Sequence, residues 1–299
     1  MTLPLLRATA DDPQRLRRDR ALQRIRRGAY VDRAAFASIP EHSRHAIHVH
    51  AVAAARPRAV FARESALALA DLPHGRPTSV FTIGDPGASG RRHGVVNSQV
   101  AIADGDVLVE GGIARCSPAY ALAHLARVGR QLDAVSALDS ALRSGATTKD
   151  EVADALGRQG PRGQRRAAWV VDFADGLAES VGESWSRVQI HRIGAPVPQL
   201  QVRVMTRLGP RFPDFLWERP GRRPLGGEFD GAQKYGVIAE ANGVQPIDAV
   251  IREKQREDAL REHIDTLHWM WAEAQRPERL RAMLAQAHPP VHAALLPGW

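Results

Sequence analysis

The chain has 299 residues, of which 44% are apolar and 25% are charged, a composition that excludes intrinsic disorder, collagen and coiled coil. No run of 18 or more apolar residues occurs, so the sequence predicts no membrane span, and the single cysteine, Cys116, excludes a disulfide framework and a cysteine-based zinc site. The net charge of +8 favours an anionic partner, and the N-terminus lacks a signal-peptide pattern, so we expect a cytoplasmic protein.

Positive charge is concentrated at the start of the chain. The first 30 residues hold eight arginines and three aspartates, which supply +5 of the net charge of +8. Residues 13–27 predict a helix with Leu16, Leu22 and Ile25 as its apolar seam, and Gly28 ends this helix before a short strand. Dense arginines attract polyanions, so nucleic acid is the leading partner class, and a solvated helix face is the alternative. The candidate DNA contacts are Arg15, Arg17, Arg18, Arg24, Arg26 and Arg27.

Helical and strand-like segments alternate through the middle of the chain. Residues 41–56 and 60–72 predict helices, and the apolar runs at 79–84 and 106–116 predict strands. Further helices are predicted at 117–128, 130–144 and 148–157. A Gly/Pro/Arg-rich stretch at 157–166 then precedes all six tryptophans, which lie at or beyond position 169. We therefore place a domain boundary near residue 165.

The segments after this boundary predict a small α/β core. A long helix over 167–192 is followed by three strands, a second helix, a fourth strand and a last helix that begins after Pro277. The three strands, the second helix and the fourth strand are predicted at 199–206, 211–217, 224–231, 246–263 and 266–273.

Acidic residues recur where such a core brings its elements together. Glu179 and Glu183 are four residues apart on the first helix and share a face, and Asp214 lies within the second strand. Glu228 and Asp230 are two residues apart in the third strand, so both side chains leave the same side of the sheet. Clustered carboxylates favour a bound Mg²⁺ or Mn²⁺, which polarises a phosphoryl oxygen and activates water. The alternative for each acid is an exposed surface position.

Lysine is rare in this chain and falls beside the acids. Thirty-eight of the 41 basic residues are arginines, and two of the three lysines, Lys234 and Lys254, flank the acidic segments. A lysine there orients water or offsets charge in the transition state, with Lys254 as the candidate and Lys234 as its competitor. His268 is predicted to be a packed strand residue, and a role at the metal site is its alternative.

The segments GES, PDFLW, GGEFDGAQKY and EKQREDALR resemble the PD-(D/E)XK nuclease superfamily, and most closely its very-short-patch-repair-like endonuclease domains. The resemblance covers residues 171–290. It implies a restriction-endonuclease-like αβββαβ fold and Mg²⁺- or Mn²⁺-dependent hydrolysis of phosphodiester bonds. By the motif, Asp214 and Glu228 would bind the metal, and Glu183 would be the acid of the helix.

Asp230 departs from this motif, because it occupies the position where the superfamily usually has its lysine. Lys254 or Lys234 would then supply the lysine role from elsewhere. The catalytic residues expected on this basis are Glu183, Asp214, Glu228, Asp230 and Lys254, and loss of catalysis is the alternative.

The segments RIRRGAYV, ARESALALADLP and DSALRSGATTKDEVADAL resemble the AbiEi-type antitoxins of type IV toxin–antitoxin systems. These are winged-helix regulators, and RRGAYV corresponds to their wing. Little chain precedes the arginine-rich helix, so we expect a truncated DNA-binding half whose arginines contact phosphates without reading bases.

These interpretations combine into an α/β protein with a mostly helical, winged-helix-like N-terminal region. We expect this DNA-binding region at 1–75, an AbiEi-like mixed α/β region at 76–165 and an endonuclease-like domain at 166–299. The leading hypothesis is a metal-dependent DNA endonuclease. The alternatives are a DNA-binding regulator or antitoxin with an inactive nuclease fold, and a protein-contact adapter. The expected partner is DNA and not a membrane, with a homodimer and an unidentified toxin as further candidates.

Overall fold

The computed structural model describes five stretches of the chain, which are residues 6–7, 13–84, 90–100, 102–231 and 246–287. These residues form a mixed α/β structure that divides into two compact units. The first unit is Met1–Phe173 and the second unit is Ala174–Trp299. None of the helices in the described stretches is long and apolar enough to cross a bilayer.

The arginine-rich start of the first unit is a short helix followed by a β-hairpin. Its elements are β1 (Leu6–Arg7), α1 (Pro13–Arg18), β2 (Leu22–Arg26), β3 (Ala29–Asp32) and α2 (Arg33–Ser38), and the strands form an antiparallel sheet in the order β1–β3–β2. The predicted single helix over 13–27 is therefore wrong, whereas the predicted strand after it is confirmed. Gly28 reverses the chain with a φ of +78°, which lets β2 pair with the buried strand β3.

A six-stranded sheet and several helices form the rest of the first unit. The strands lie in the order β6–β7–β5–β4–β9–β8. The elements are α3 (Arg44–Ala55), β4 (Val60–Phe61), α4 (Arg63–Leu69), β5 (Val80–Ile83), β6 (Gly90–Arg92), β7 (Val95–Ser98), β8 (Val107–Glu110), β9 (Ile113–Cys116), α5 (Pro118–Val128), α6 (Gln131–Arg143), α7 (Lys149–Gly157) and α8 (Gln164–Phe173).

Most local predictions for this region are confirmed. The helices predicted at 117–128, 130–144 and 148–157 agree with α5, α6 and α7 to within one residue at each end. Helix α7 begins with a capping box in which Thr148 and Glu151 each satisfy a backbone N–H of the other. One exception is 60–61, predicted as the start of a helix, which pairs with β5 and β9 instead. Another is 106–116, predicted as a strand, which forms the antiparallel pair β8 and β9.

The second unit is built on a four-stranded sheet. Its elements are α9 (Val181–Arg192), β10 (Gln199–Leu200), β11 (Val204–Thr206), β12 (Gly209–Arg211), β13 (Phe215–Trp217), β14 (Leu225–Phe229), α10 (Pro246–Arg261), β15 (Asp265–Trp269), α11 (Trp271–Ala274) and α12 (Pro277–Ala287). The sheet order is β10–β13–β14–β15, in which β15 runs parallel to β14 and the other neighbours are antiparallel. Strands β11 and β12 form a separate hairpin.

Several predictions for the second unit need correction. The strand predicted at 199–206 is divided between β10 and β11, and the strand predicted at 266–273 ends at Trp269, before α11. The single helix predicted over 167–192 is two helices, α8 and α9, and the division between the units falls between them, after Phe173 rather than near 165. Helix α9 starts separately from α8, and the Ser180 hydroxyl stabilises its first turn by accepting the N–H of Glu183. The strand predicted at 211–217 is interrupted before β13, so Asp214 lies just outside that strand.

Apolar side chains cover both faces of this sheet. On one face, Phe215 and Trp269 stack with ring centroids 5.2 Å apart and pack in a core with Ile190 of α9 and Leu280 of α12. On the other face, Leu216 packs against residues in and just after α10. The sheet is therefore held between helices, and its strand ends are the places where polar side chains gather.

Candidate functional site

Asp214 is a buried acid at the start of β13. Its Oδ2 atom accepts the backbone N–H of Phe229 at 2.8 Å. Strands β13 and β14 pair as far as Phe215 opposite Gly227. Asp214 precedes β13 and Glu228 follows Gly227 in β14, so both acids lie one position beyond the last pair, at the same end of the two strands.

Glu183 approaches Asp214 from the first turn of α9. Its Oε2 atom accepts the backbone N–H of Glu179 at 2.7 Å, and the residue itself is buried. Burial and the negative charge of Asp214 raise the pKa of Glu183 from 4.5 to about 7. Glu179, in contrast, is exposed and precedes the helix, so the prediction that it shares a helical face with Glu183 is wrong.

Close packing holds α9 against the sheet at this point. A Cβ atom added to Gly182 would lie 1.9 Å from the ring of Phe229, so only glycine lets the helix approach this closely. The indole N–H of Trp269 also donates to the Ser186 hydroxyl at 2.8 Å. In the GES segment, Gly182 thus allows the close packing of α9 on the sheet, and Glu183, the next residue, is the buried acid.

Asp230 and a histidine form the second half of the site. Asp230 follows β14, and its Oδ2 atom lies 3.2 Å from Nδ1 of His268 on β15. The other ring nitrogen, Nε2, lies 3.3 Å from an oxygen of Glu257 on α10. The bond to Asp230 and the charges of Glu257 and Glu228 raise the pKa of His268 above 6.5, against the opposing effect of burial.

Polar side chains at this end of the sheet form what we call the acidic row: Asp214 before β13, Glu228 and Asp230 in and after β14, and His268 on β15. Glu228 is the register partner of His268. The sequence predicts His268 as a packed residue, because a sequence pattern does not reveal which residues of two parallel strands face each other. The adjacent Glu-x-Asp pattern was the available signal that this row is polar.

The structure connects no lysine to this row within the residues that it describes. Lys254 is exposed on α10. Lys234 lies outside the described residues, so its predicted role is still a prediction. The imidazole of His268 is a basic side chain that the structure joins to Asp230.

The donors at the site suit a hard cation better than zinc. Across the described stretches, no three His, Cys, Asp or Glu side chains are arranged to hold a metal by themselves. Mg²⁺, however, commonly uses one or two carboxylates and takes its other oxygens from water and a substrate phosphate. Asp214 and Glu228 would be those two carboxylates, and a cation there would offset the repulsion that Glu183 experiences from Asp214.

The arginines of the first unit form a basic hollow between α1 and the β2–β3 hairpin. The hollow has a volume of about 510 Å³, and its arginines are Arg17, Arg18, Arg20, Arg24 and Arg33. Arg20 and Arg33 were missed because the sequence suggested one helix rather than a helix and a hairpin. Arg27 is exposed on the hairpin turn, whereas the side chain of Arg15 lies outside the described part of the structure.

Arg26 differs from the other predicted DNA contacts. It is half-buried and donates to the backbone oxygen of His93 at 3.2 Å. Burial and the nearby charge of Arg56 lower the pKa of its guanidinium. These contacts indicate a structural role for Arg26.

Comparison with known proteins yields partial similarities. Uncharacterized protein MT2308 and uncharacterized protein Rv2248, from two strains of Mycobacterium tuberculosis, are each 35% identical to this chain over 126 residues. The match covers 42% of this chain and 45% of each relative, so the chain spans about half the length of these curated relatives. No family model matches the chain, and no solved structure matches it.

The raised pKa of Glu183 predicts a pH-dependent stability. The unfolded chain loses this proton near pH 4.5, whereas the folded protein keeps it to about pH 7. The free energy of unfolding therefore falls between these values, by about 3 kcal/mol from this group. We expect Glu183→Gln to remove that component when urea unfolding is followed by tryptophan fluorescence from pH 4.5 to 8.

Glu218→Gln is the matched control, because Glu218 is exposed at the far end of β13. It should show the wild-type pH dependence. Equal pH dependence in wild type and Glu183→Gln would contradict the prediction.

The contact between Asp230 and His268 predicts a measurable titration shift. NMR titration of the His268 ring should give a pKa above the ordinary 6.5, because the Asp230 carboxylate stabilises the protonated imidazole. Asp230→Asn should lower that pKa, and Asp258→Asn, at an exposed position on α10, should leave it unchanged. An unshifted His268 in wild type would show that the contact is absent in solution.

Proposed function

We propose that this protein is a metal-dependent DNA endonuclease whose active site is the acidic row of the second unit. The observation that carries the proposal is that Asp214 and Glu183 are both buried and close enough for the charge of Asp214 to help raise the pKa of Glu183 to about 7. Buried acids at close range are costly to stability, and such sites are common where function requires them.

The element order of the second unit supports a restriction-endonuclease-like fold. Helix α9, strands β10, β13 and β14, helix α10 and strand β15 follow the order αβββαβ. The Pro-Asp and Glu-x-Asp segments lie beside each other at one end of β13 and β14. This agreement between motif and element order favours the nuclease superfamily that the sequence resembles.

Each residue has a distinct role in this proposal. Asp214 and Glu228 would hold the Mg²⁺ or Mn²⁺, which would supply Lewis-acid chemistry for phosphodiester hydrolysis. Glu183 contributes a carboxyl group that exchanges a proton near neutral pH. Asp230 orients the imidazole of His268 beside Glu228, and Lys254 would reach the site only by turning from its exposed position.

The first unit would supply contacts to the DNA backbone. Its basic hollow places arginines from α1 and β2 side by side, which suits phosphate groups rather than base edges. The winged-helix interpretation agrees with the β2–β3 hairpin at the predicted wing segment. The region 1–75 is thus proposed as the DNA-binding part and 76–165 as an AbiEi-like part.

A second candidate is a DNA-binding regulator or antitoxin with an inactive nuclease fold. Two observations favour it: Asp230 stands where the motif has lysine, and Lys254 is exposed. This candidate retains DNA binding and predicts no hydrolysis. A homodimer and an unidentified toxin partner would belong to the same candidate.

Cleavage of supercoiled plasmid and of single-stranded DNA tests the two candidates. The nuclease proposal predicts nicking with Mg²⁺ or Mn²⁺ and none with EDTA. Asp214→Asn should reduce the rate by about 100-fold or more, because it removes a charged metal ligand while preserving shape. Glu218→Gln, an exposed acid beyond the other end of β13, should cleave like wild type.

Salt-sensitive DNA binding without cleavage would replace the nuclease with the regulator. Nicking that persists in Asp214→Asn would mean that the acidic row is not the active site.

The basic hollow predicts a change in the salt dependence of binding. The double variant Arg18→Gln with Arg24→Gln should reduce the magnitude of the slope of log K against log salt by about 2. Each lost phosphate contact removes about 0.9 from that slope. The matched control is Arg162→Gln with Arg165→Gln, which removes the same charge from exposed positions near α8. Fluorescence anisotropy on one duplex measures both slopes, and equal slopes for the two variants would contradict the hollow as the DNA contact.

A further inference from the structure

A short rigid hairpin precedes the acidic row in the chain. Strands β11 and β12 pair over three positions, and the Thr206 hydroxyl closes the turn between them. This hydroxyl donates to the backbone oxygen of Gly209 at 2.7 Å and accepts the N–H of Leu208 at 3.2 Å. Gly209 has a φ of +97°, which the tight reversal requires. The turn geometry is thus fixed by side-chain and backbone contacts.

The hairpin exposes large apolar side chains. Met205 is 54% exposed, Leu208 is 44% exposed at the turn, and Phe212 is 50% exposed immediately after β12. Three large apolar side chains are therefore exposed within eight positions, and exposed apolar side chains that form a patch mark interaction sites. Phe212 lies two residues before Asp214, so the hairpin is next to the proposed active site along the chain.

The charge of the hairpin identifies the class of partner. Residues 199–213 contain three arginines and no acidic residue. The arginines are Arg203, Arg207 and Arg211. Arg207 pairs with Glu262 at 2.8 Å, but about half of each side chain is exposed, so this ion pair is weak and can exchange for a phosphate. Apolar side chains flanked by arginine suit a polyanion with an apolar interior, which is duplex DNA.

The backbone of β12 argues against a partner that adds a further strand. Pro210 is the middle residue of its three, and proline has no N–H to donate. A second copy of this chain or an extended peptide would need that donor. Binding in a groove of DNA does not require a backbone N–H donor at this position.

We propose that the β11–β12 hairpin enters the minor groove of the DNA substrate and kinks it beside the acidic row. Leu208 and Met205 press against a base step, and Arg203 and Arg207 contact the flanking phosphates. Apolar wedges flanked by arginine bend duplexes in this way by about 20–90°. The inference rests on the proposed function, since it assigns to the hairpin a role in positioning the same substrate.

The test measures DNA binding and bending with the full chain. A duplex labelled at both ends reports the bend by energy transfer, and fluorescence anisotropy reports affinity, both in the Asp214→Asn background so that the DNA stays intact. Met205→Ser with Leu208→Ser should abolish the bend and weaken binding about tenfold. Because both side chains are exposed, the unfolding midpoint should not change.

The matched control is Leu108→Ser with Val109→Ser, which removes exposed apolar residues from edge strand β8 of the first unit. This variant should bind and bend DNA like its parent. Arg203→Gln should weaken DNA binding and reduce the slope of log K against log salt by about 0.9, and the bend should remain.

The outcomes separate this inference from the proposed function. Wild-type cleavage together with unchanged bending and affinity in the Met205/Leu208 variant overturns the hairpin inference alone. If the wild-type protein never cleaves DNA but the Met205/Leu208 variant loses the bend, the hairpin inference is supported and the nuclease proposal is overturned. A full chain that does not bind DNA overturns both.

Discussion

The hydrogen bond from the Phe229 N–H to the Asp214 carboxylate is the contact on which the rest of the second unit depends. It forms where β13 and β14 begin to pair, and it keeps a buried acid supplied with a donor. Phe229 in turn fills the space that Gly182 leaves open, so the same residue sets the distance between α9 and the sheet. Through this arrangement Glu183 comes under the influence of the Asp214 charge.

Burying these carboxyl groups near each other costs electrostatic free energy, and the contacts of the structure offset only part of that cost. Burial and a neighbouring carboxylate keep Glu183 protonated to about pH 7. At the other end of the row, Asp230 and Glu257 share the imidazole of His268. The carboxylates of this row are thus compensated in part by a histidine and in part by protonation of Glu183.

Local sequence signals account for most of the helices and for the identity of the acids. Helices α5 to α7 were predicted closely because apolar spacing and the Thr148 cap are properties of adjacent residues. The prediction of one continuous helix over 167–192 was wrong, because a new helix starts after Ser180 within a segment of helical composition. The prediction of a helix over 13–27 was wrong, because β2 is stabilised by pairing with β3 and the apolar spacing of the sequence does not reveal that pairing.

The sequence by itself determined the α/β composition, the arginine-rich start of the first unit and the acidic residues of the second, since these depend on residue type and short spacing. Only the tertiary structure decided that Glu228 lies opposite His268, that Glu179 precedes the helix of Glu183, and that Arg26 is held by a backbone contact. Strand register is the physical reason. A shift of one residue turns every side chain to the opposite face, and that choice depends on the packing of distant segments such as α9 against Phe229.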